Sequence, residues 1–124
     1  LEIEHILPNK PEDDLHGKWA TENPGVVYDD YKNRLGNLTL LEKPINIVAG
    51  NDFYAVKQGE YRKSGNYLTR SLVELANVGL NTSISRINEK LEAFSDWNAA
   101  SIEKRHSLLI ALVKDVWKTT PIDA

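Results

Sequence analysis

The chain has 124 residues, 41% of them hydrophobic and 27% charged, with a formal charge of −3 at pH 7. That is material for one domain, two at most, and it is apolar enough to build a core. No apolar run approaches the ~18 residues of a membrane helix, no basic leader precedes an apolar stretch, and the absence of cysteine excludes a disulfide framework and a thiolate zinc site and fits a reducing compartment, the cytoplasm.

Leu1 to Leu7 alternates apolar and polar through Leu1, Ile3 and His5 and closes on Pro8, which predicts a short strand. Residues 9–25 are rich in turn formers (Asn9, Pro11, Gly17, Asn23, Pro24, Gly25) and read as a long loop anchored by Trp19. Val27, Tyr28, Tyr31 and Leu35 predict a helix over Val26–Leu35 with Gly36 as its C-cap. Leu38–Leu41 is a second short strand, followed by Pro44. A helix is expected from about Asp52 to Lys63, with Phe53, Val56 and Tyr61 inward, and another from about Thr69 to Val78, stopped by Gly79. Thr82 or Asn81 would cap a helix through Ile84, Ile87, Leu91 and Phe94. The final helix is the clearest: Asn98 caps it, Ile102, Leu109, Leu112, Val113, Val116 and Trp117 recur at helical spacing, and Pro121 ends it. The fold class expected is α+β, with two short antiparallel strands and several surrounding helices.

The acidic excess lies in residues 1–57, and the remainder is near balance. Between Lys57 and Arg70, the side chains of Lys57, Arg62, Lys63 and Arg70 face a single acid, Glu60, with Tyr61 and Tyr67 interleaved. Such a strip is either a solvated helix face or a set of phosphate contacts. Methionine is absent, so Leu1 is not read as a natural start, and the chain is expected to be a piece of a longer one.

The residues that point to chemistry are Glu4-His5-Ile6-Leu7-Pro8, then Gly36-Asn37-Leu38, then Asn46. This ordered set resembles the HNH (His-Me finger, ββα-metal) nucleases, whose pattern is an acid and His before Ile-x-Pro, then Gly-Asn-Leu, then a further His or Asn. Phe53, Lys57, Tyr61, Trp97, Ile102, Arg105 and Trp117 extend the likeness along most of the chain. In this respect it resembles more closely the C-terminal domain of GmrSD-type modification-dependent restriction and phage-defence enzymes. The resemblance implies a single domain over residues 1–124, with a ββα core over about 1–63 and a helical part over about 64–124. It implies a metal-dependent DNA endonuclease leaving 5′-phosphate and 3′-hydroxyl ends, acting on DNA, duplex by expectation, beside an upstream NTPase-like sensor domain.

The residue types suit that reaction. Imidazole is the side chain whose ordinary pKa lies near neutrality, so it can take a proton from water. A hard divalent cation can stabilise the leaving oxygen and prefers oxygen ligands. By the resemblance, His5 is the general base, and Glu4 and Asn46 hold one Mg²⁺ or Mn²⁺ ion. Asn37 orients the loop for His5, and Lys57 contacts a phosphate. His16, Arg62, Lys63 and Arg70 complete the expected contacts to DNA. Glu4 stands where Asp is commoner, and Asn46 where His is commoner, which favours Mg²⁺ or Mn²⁺ over zinc. In an ideal strand Glu4 and His5 point to opposite faces, so both serve one site only if the strand twists or bulges. His106 is expected at the surface or in packing, Trp97 and Trp117 in the core, and Arg105 in a pair with a carboxylate. Two other functions are weighed: a non-catalytic nucleic-acid-binding module and a protein-interaction domain on the same fold.

Overall fold

The structure, a computed structural model, describes residues 1–75, 87–88 and 90–119, with the side chains of the last helix as far as Asp115. Among the described residues it is an α+β fold: a two-stranded antiparallel sheet with six helices around it. In chain order these are β1 (Glu2–His5), α1 (Asp13–Glu22), α2 (Tyr28–Lys32), a 3₁₀ turn (Leu35–Asn37), β2 (Leu38–Leu41), α3 (Lys43–Ala49), α4 (Tyr54–Tyr61), α5 (Tyr67–Arg70) and α6 (Ala99–Thr119). No helix of the described residues is long and apolar enough to cross a membrane.

The segment expected as a loop holds α1. Leu15 and Trp19, four residues apart, are its two buried side chains. Asp13 and Asp14 sit in its first turn, where the helix dipole favours acids. Two apolar anchors in ten residues are too few to stand out against the flanking turn formers. The Asn23 side chain closes the helix by donating Nδ2–H to the Trp19 carbonyl at 3.0 Å, and its Oδ1 accepts from Ala99 N at 2.9 Å. That residue therefore ties the end of α1 to the start of α6.

In the sheet the apolar residues of β1 lie on its outer face. Strand β1 pairs with β2 in the register Glu2–Leu41, Ile3–Leu40, Glu4–Thr39 and His5–Leu38. Leu1 and Ile3 are 75% and 65% exposed, whereas Glu4 is 5% exposed. The buried face is the one toward α4 and α5, and it takes Glu4, Thr39 and Leu41. Alternation fixes which residues share a face, and packing decides which face is inside.

Three more helices differ from expectation. The helix placed over Val26–Leu35 is the shorter α2, and Gly36 belongs to the 3₁₀ turn rather than to a C-cap. Helix α4 is shorter than Asp52–Lys63, with Tyr61 buried, Phe53 half-buried and Val56 exposed. Helix α5 begins before Thr69 because Asn66 Oδ1 caps Leu68 N at 3.1 Å. The first part of the expected helix from Asn81 or Thr82 lies outside the described residues, as do Val78, Gly79 and Pro121 and the side chains of Val116 and Trp117, while Ile87 and Asn88 are helical. Its far end is described and is not helical. Phe94 N donates to Leu72 O, and the Phe94 carbonyl accepts from Tyr54 Oη and Gln58 Nε2.

Helix α6 starts where Asn98 places it: Asn98 Oδ1 accepts from Ser101 N at 3.0 Å, and Ser101 Oγ accepts from Asn98 N at 3.3 Å. Its inner side carries Ile102, Arg105 and Leu109. Ile102 joins Ile6, Leu41, Tyr61, Leu72 and Trp97 in the core. The close partner of α6 is the 3₁₀ turn. A Cβ on Gly36 would lie 2.1 Å from the Ile102 carbonyl oxygen and 2.7 Å from His106 N. Glycine is required there for close approach, and it carries no positive φ.

Candidate active site

The end of β1 is where buried polar groups converge. His5 is half-buried, and its Nε2 lies 3.0 Å from Asn33 Oδ1. Asn33, just past α2, was not singled out by the sequence. Its signal is slight, a polar residue before the Arg34-Leu35-Gly36-Asn37 turn.

Asn37 is fully buried and is bonded at both ends of its amide. Its Oδ1 accepts from Leu7 N at 2.7 Å and from Trp97 Nε1 at 2.8 Å. Its Nδ2 donates to Leu7 O at 3.0 Å and to Lys32 O at 2.8 Å. Its backbone carbonyl accepts from Ile6 N at 3.0 Å. One side chain thus joins the end of β1, the end of α2 and the Trp97 segment. The turn that carries it is held by Arg105, which donates to Gly36 O at 2.9 Å and Leu38 O at 2.7 Å.

Arg105 therefore serves main-chain carbonyls, not the carboxylate expected for it, and burial pulls its guanidinium down to about 10. His106 accepts from Gly36 N through Nδ1 at 3.3 Å, a packing role.

Glu4 faces the other way. Its Oε2 accepts from Tyr61 Oη at 2.7 Å and pairs with Lys57 Nζ at 3.1 Å. Both partners are fully buried. Lys57 also donates to His5 O at 2.9 Å and Ile6 O at 3.3 Å. Burial pulls the Lys57 ammonium below its ordinary value, with Glu4 opposing, and pushes the Tyr61 phenol well above its own. The register is unbroken through Glu4 and His5, so no bulge turns them to one side. Lys57 was expected on a phosphate; its Nζ is enclosed instead, because α4 packs this side of the helix against the strand.

Asn46 lies inside α3, not at its N-cap, and its Nδ2 donates to Glu2 Oε1 at 3.1 Å. Glu2 and His5 are the two ends of β1, about 10 Å apart along it. The structure therefore does not bring Glu4, His5 and Asn46 around one point. Among the described residues, no group of three or more His, Asp or Glu side chains is placed to hold a metal ion. Oxygen donors at Glu4 and Asn46 suit a hard cation by type. As arranged they do not fit one ion, because Glu4 is neutralised by Lys57 and Asn46 lies against Glu2 at the far end.

The remaining basic residues are dispersed. His16 is exposed on α1 and stacks on Tyr28 at 5.0 Å between ring centroids. Arg62 and Lys63 are exposed at the end of α4, Lys63 within 3.0 Å of Glu60. Arg70 lies over the Tyr67 ring at 5.7 Å.

Compared with known protein families, residues 1–112 match the GmrSD restriction endonucleases, C-terminal domain. The chain belongs to that family. No curated protein and no solved structure matched it.

Proposed function

We propose that this chain is the phosphodiester-cleaving module of a restriction endonuclease, acting on DNA with His5 as its general base. The observation that carries the reading is the setting of His5. It is a half-exposed imidazole at the end of a strand whose next residues are clamped by Asn37 and Lys57. With Asn33 Oδ1 as acceptor, Nε2 carries the proton and Nδ1 holds the lone pair. Nδ1 then takes the proton from an attacking water, and Asn33 keeps the ring in that tautomer. Family membership supports the reaction class.

Mg²⁺ or Mn²⁺ dependence rests on the resemblance to ββα-metal nucleases. Arg62, Lys63 and His16 are exposed enough to meet a DNA backbone. An upstream sensor domain remains part of the proposal.

The test is plasmid cleavage with Mg²⁺, Mn²⁺ or EDTA, with His5→Ala alongside. We expect cleavage in the metal arms alone and a loss of roughly 10²–10⁴-fold in the variant. Equal activity of His5→Ala refutes the general base, and cleavage undiminished in EDTA refutes the metal dependence.

A further inference from the structure

Lys57 uses every donor it has. An ammonium offers three, and its partners are His5 O, Ile6 O and Glu4 Oε2. Nothing is left for a phosphate, and the side chain is 1% exposed. A buried charge pair is a poor way to fill a core, since apolar side chains of similar volume are often as stable or more so. What this pair adds is a fixed place for two main-chain carbonyls.

Asn37 holds the same segment, its backbone carbonyl accepting from Ile6 N and its side chain bonding Leu7 N and Leu7 O. The three residues His5, Ile6 and Leu7 are thus held by Lys57 from α4 and by the side chain and backbone carbonyl of Asn37 from the 3₁₀ turn. Tyr61 completes the arrangement by donating to the same Glu4 oxygen that receives Lys57.

We infer that Lys57, held by Glu4 and Tyr61, is a positioning residue for His5 that works through the main chain and makes no contact with DNA. This rests on His5 being the general base. It assigns α4 a task in the reaction: a shift of about 1 Å in the imidazole is enough to cost about 10²-fold in rate.

The experiment uses the intact protein that carries this chain. It compares wild type, His5→Ala, the double variant Lys57→Met with Glu4→Gln, and Tyr61→Phe. The double variant leaves no stranded charge, and Tyr61→Phe removes one hydroxyl and keeps the ring. Single-turnover cleavage is measured at saturating DNA, together with KM, the salt dependence of DNA binding and thermal unfolding. We expect the folded double variant to lose about 10²-fold in rate and Tyr61→Phe about tenfold. In both, KM and the slope of log affinity against log salt stay unchanged. A rise in KM with a salt slope reduced by about 1 marks a lost phosphate contact and overturns the inference. Full rate in either folded variant also overturns it. If His5→Ala keeps its activity, the general-base reading fails; if His5→Ala is inactive while the double variant is fully active, the positioning role alone fails.

Discussion

Gly36→Ala tests the central joint of the fold with a single methyl group. The new Cβ would lie 2.1 Å from the Ile102 carbonyl oxygen, 2.7 Å from His106 N and 2.9 Å from His106 Cβ, where ordinary contact begins at 3.4 Å. Two of the three atoms are backbone of α6, so no side chain can swing aside. The helix must retreat by roughly 1 Å, and overpacking of this kind typically costs about 1–3 kcal/mol. Retreat also stretches the bonds from Arg105 to Gly36 O and Leu38 O, each of a class worth about 1.5–3 kcal/mol. The expected loss is about 4 kcal/mol, equivalent to about 15 °C in Tm for a chain of this size. Urea unfolding followed by tryptophan fluorescence reads it as a lower midpoint at constant m. Gly17→Ala and Gly59→Ala are the controls. Both positions lie inside helices with nothing within 4 Å of where a Cβ would sit, and each should gain about 0.5–1 kcal/mol. A loss below about 1 kcal/mol for Gly36→Ala would refute the close approach.

Asn37→Ala strands four buried hydrogen-bonding groups and should cost about 4–5 kcal/mol by urea unfolding. Asn37→Asp, although nearly isosteric, should be worse, because an anionic oxygen would then face the Leu7 and Lys32 carbonyls; a wild-type midpoint for Asp contradicts the assigned amide orientation. The tyrosines give an alkaline signature. Burial pushes Tyr54 up to about 12 and Tyr28 and Tyr61 further above the ordinary phenol value. A raised folded pKa stabilises fully below the unfolded value and is lost as pH climbs through the folded one, so stability should fall as pH rises above about 10. Phenolate absorbance should show Tyr28, Tyr54 and Tyr61 ionising only on unfolding; all five tyrosines titrating together in the folded chain contradicts their burial.

The elements that could be read were those whose pattern has one cause. Helix α6 combines a cap with a repeating apolar side, and β2 is a short apolar run between turn signals, so both were legible in residue order. Helix α1 was not, because its stability comes from Trp19 and Leu15 meeting other segments and from Asn23 bonding Ala99, contacts that no local window contains. The facing of β1 was not legible for the same reason. Leu1 and Ile3 are the apolar residues, but the side covered by helices is the one carrying Glu4, and only the arrival of Lys57 and Tyr61 from α4 makes a carboxylate acceptable there.

That exchange also explains what the site motif could and could not convey. Glu4, Asn37 and Lys57 form a buried hydrogen-bonded support for the end of β1, with the half-buried His5 at its edge. Residue type alone cannot separate a lysine that meets phosphate from one that meets two carbonyls, since both tasks need a cation within reach of oxygen. Burial separates them. A phosphate ligand must be reached from solvent, and a side chain 1% exposed is not. The basic strip from Lys57 to Arg70 thus divides into one buried member that shapes the end of β1, the half-buried Arg70 against Tyr67, and the exposed Arg62 and Lys63, the latter beside Glu60. The salt dependence of binding should therefore respond to Arg62 and Lys63 and ignore Lys57.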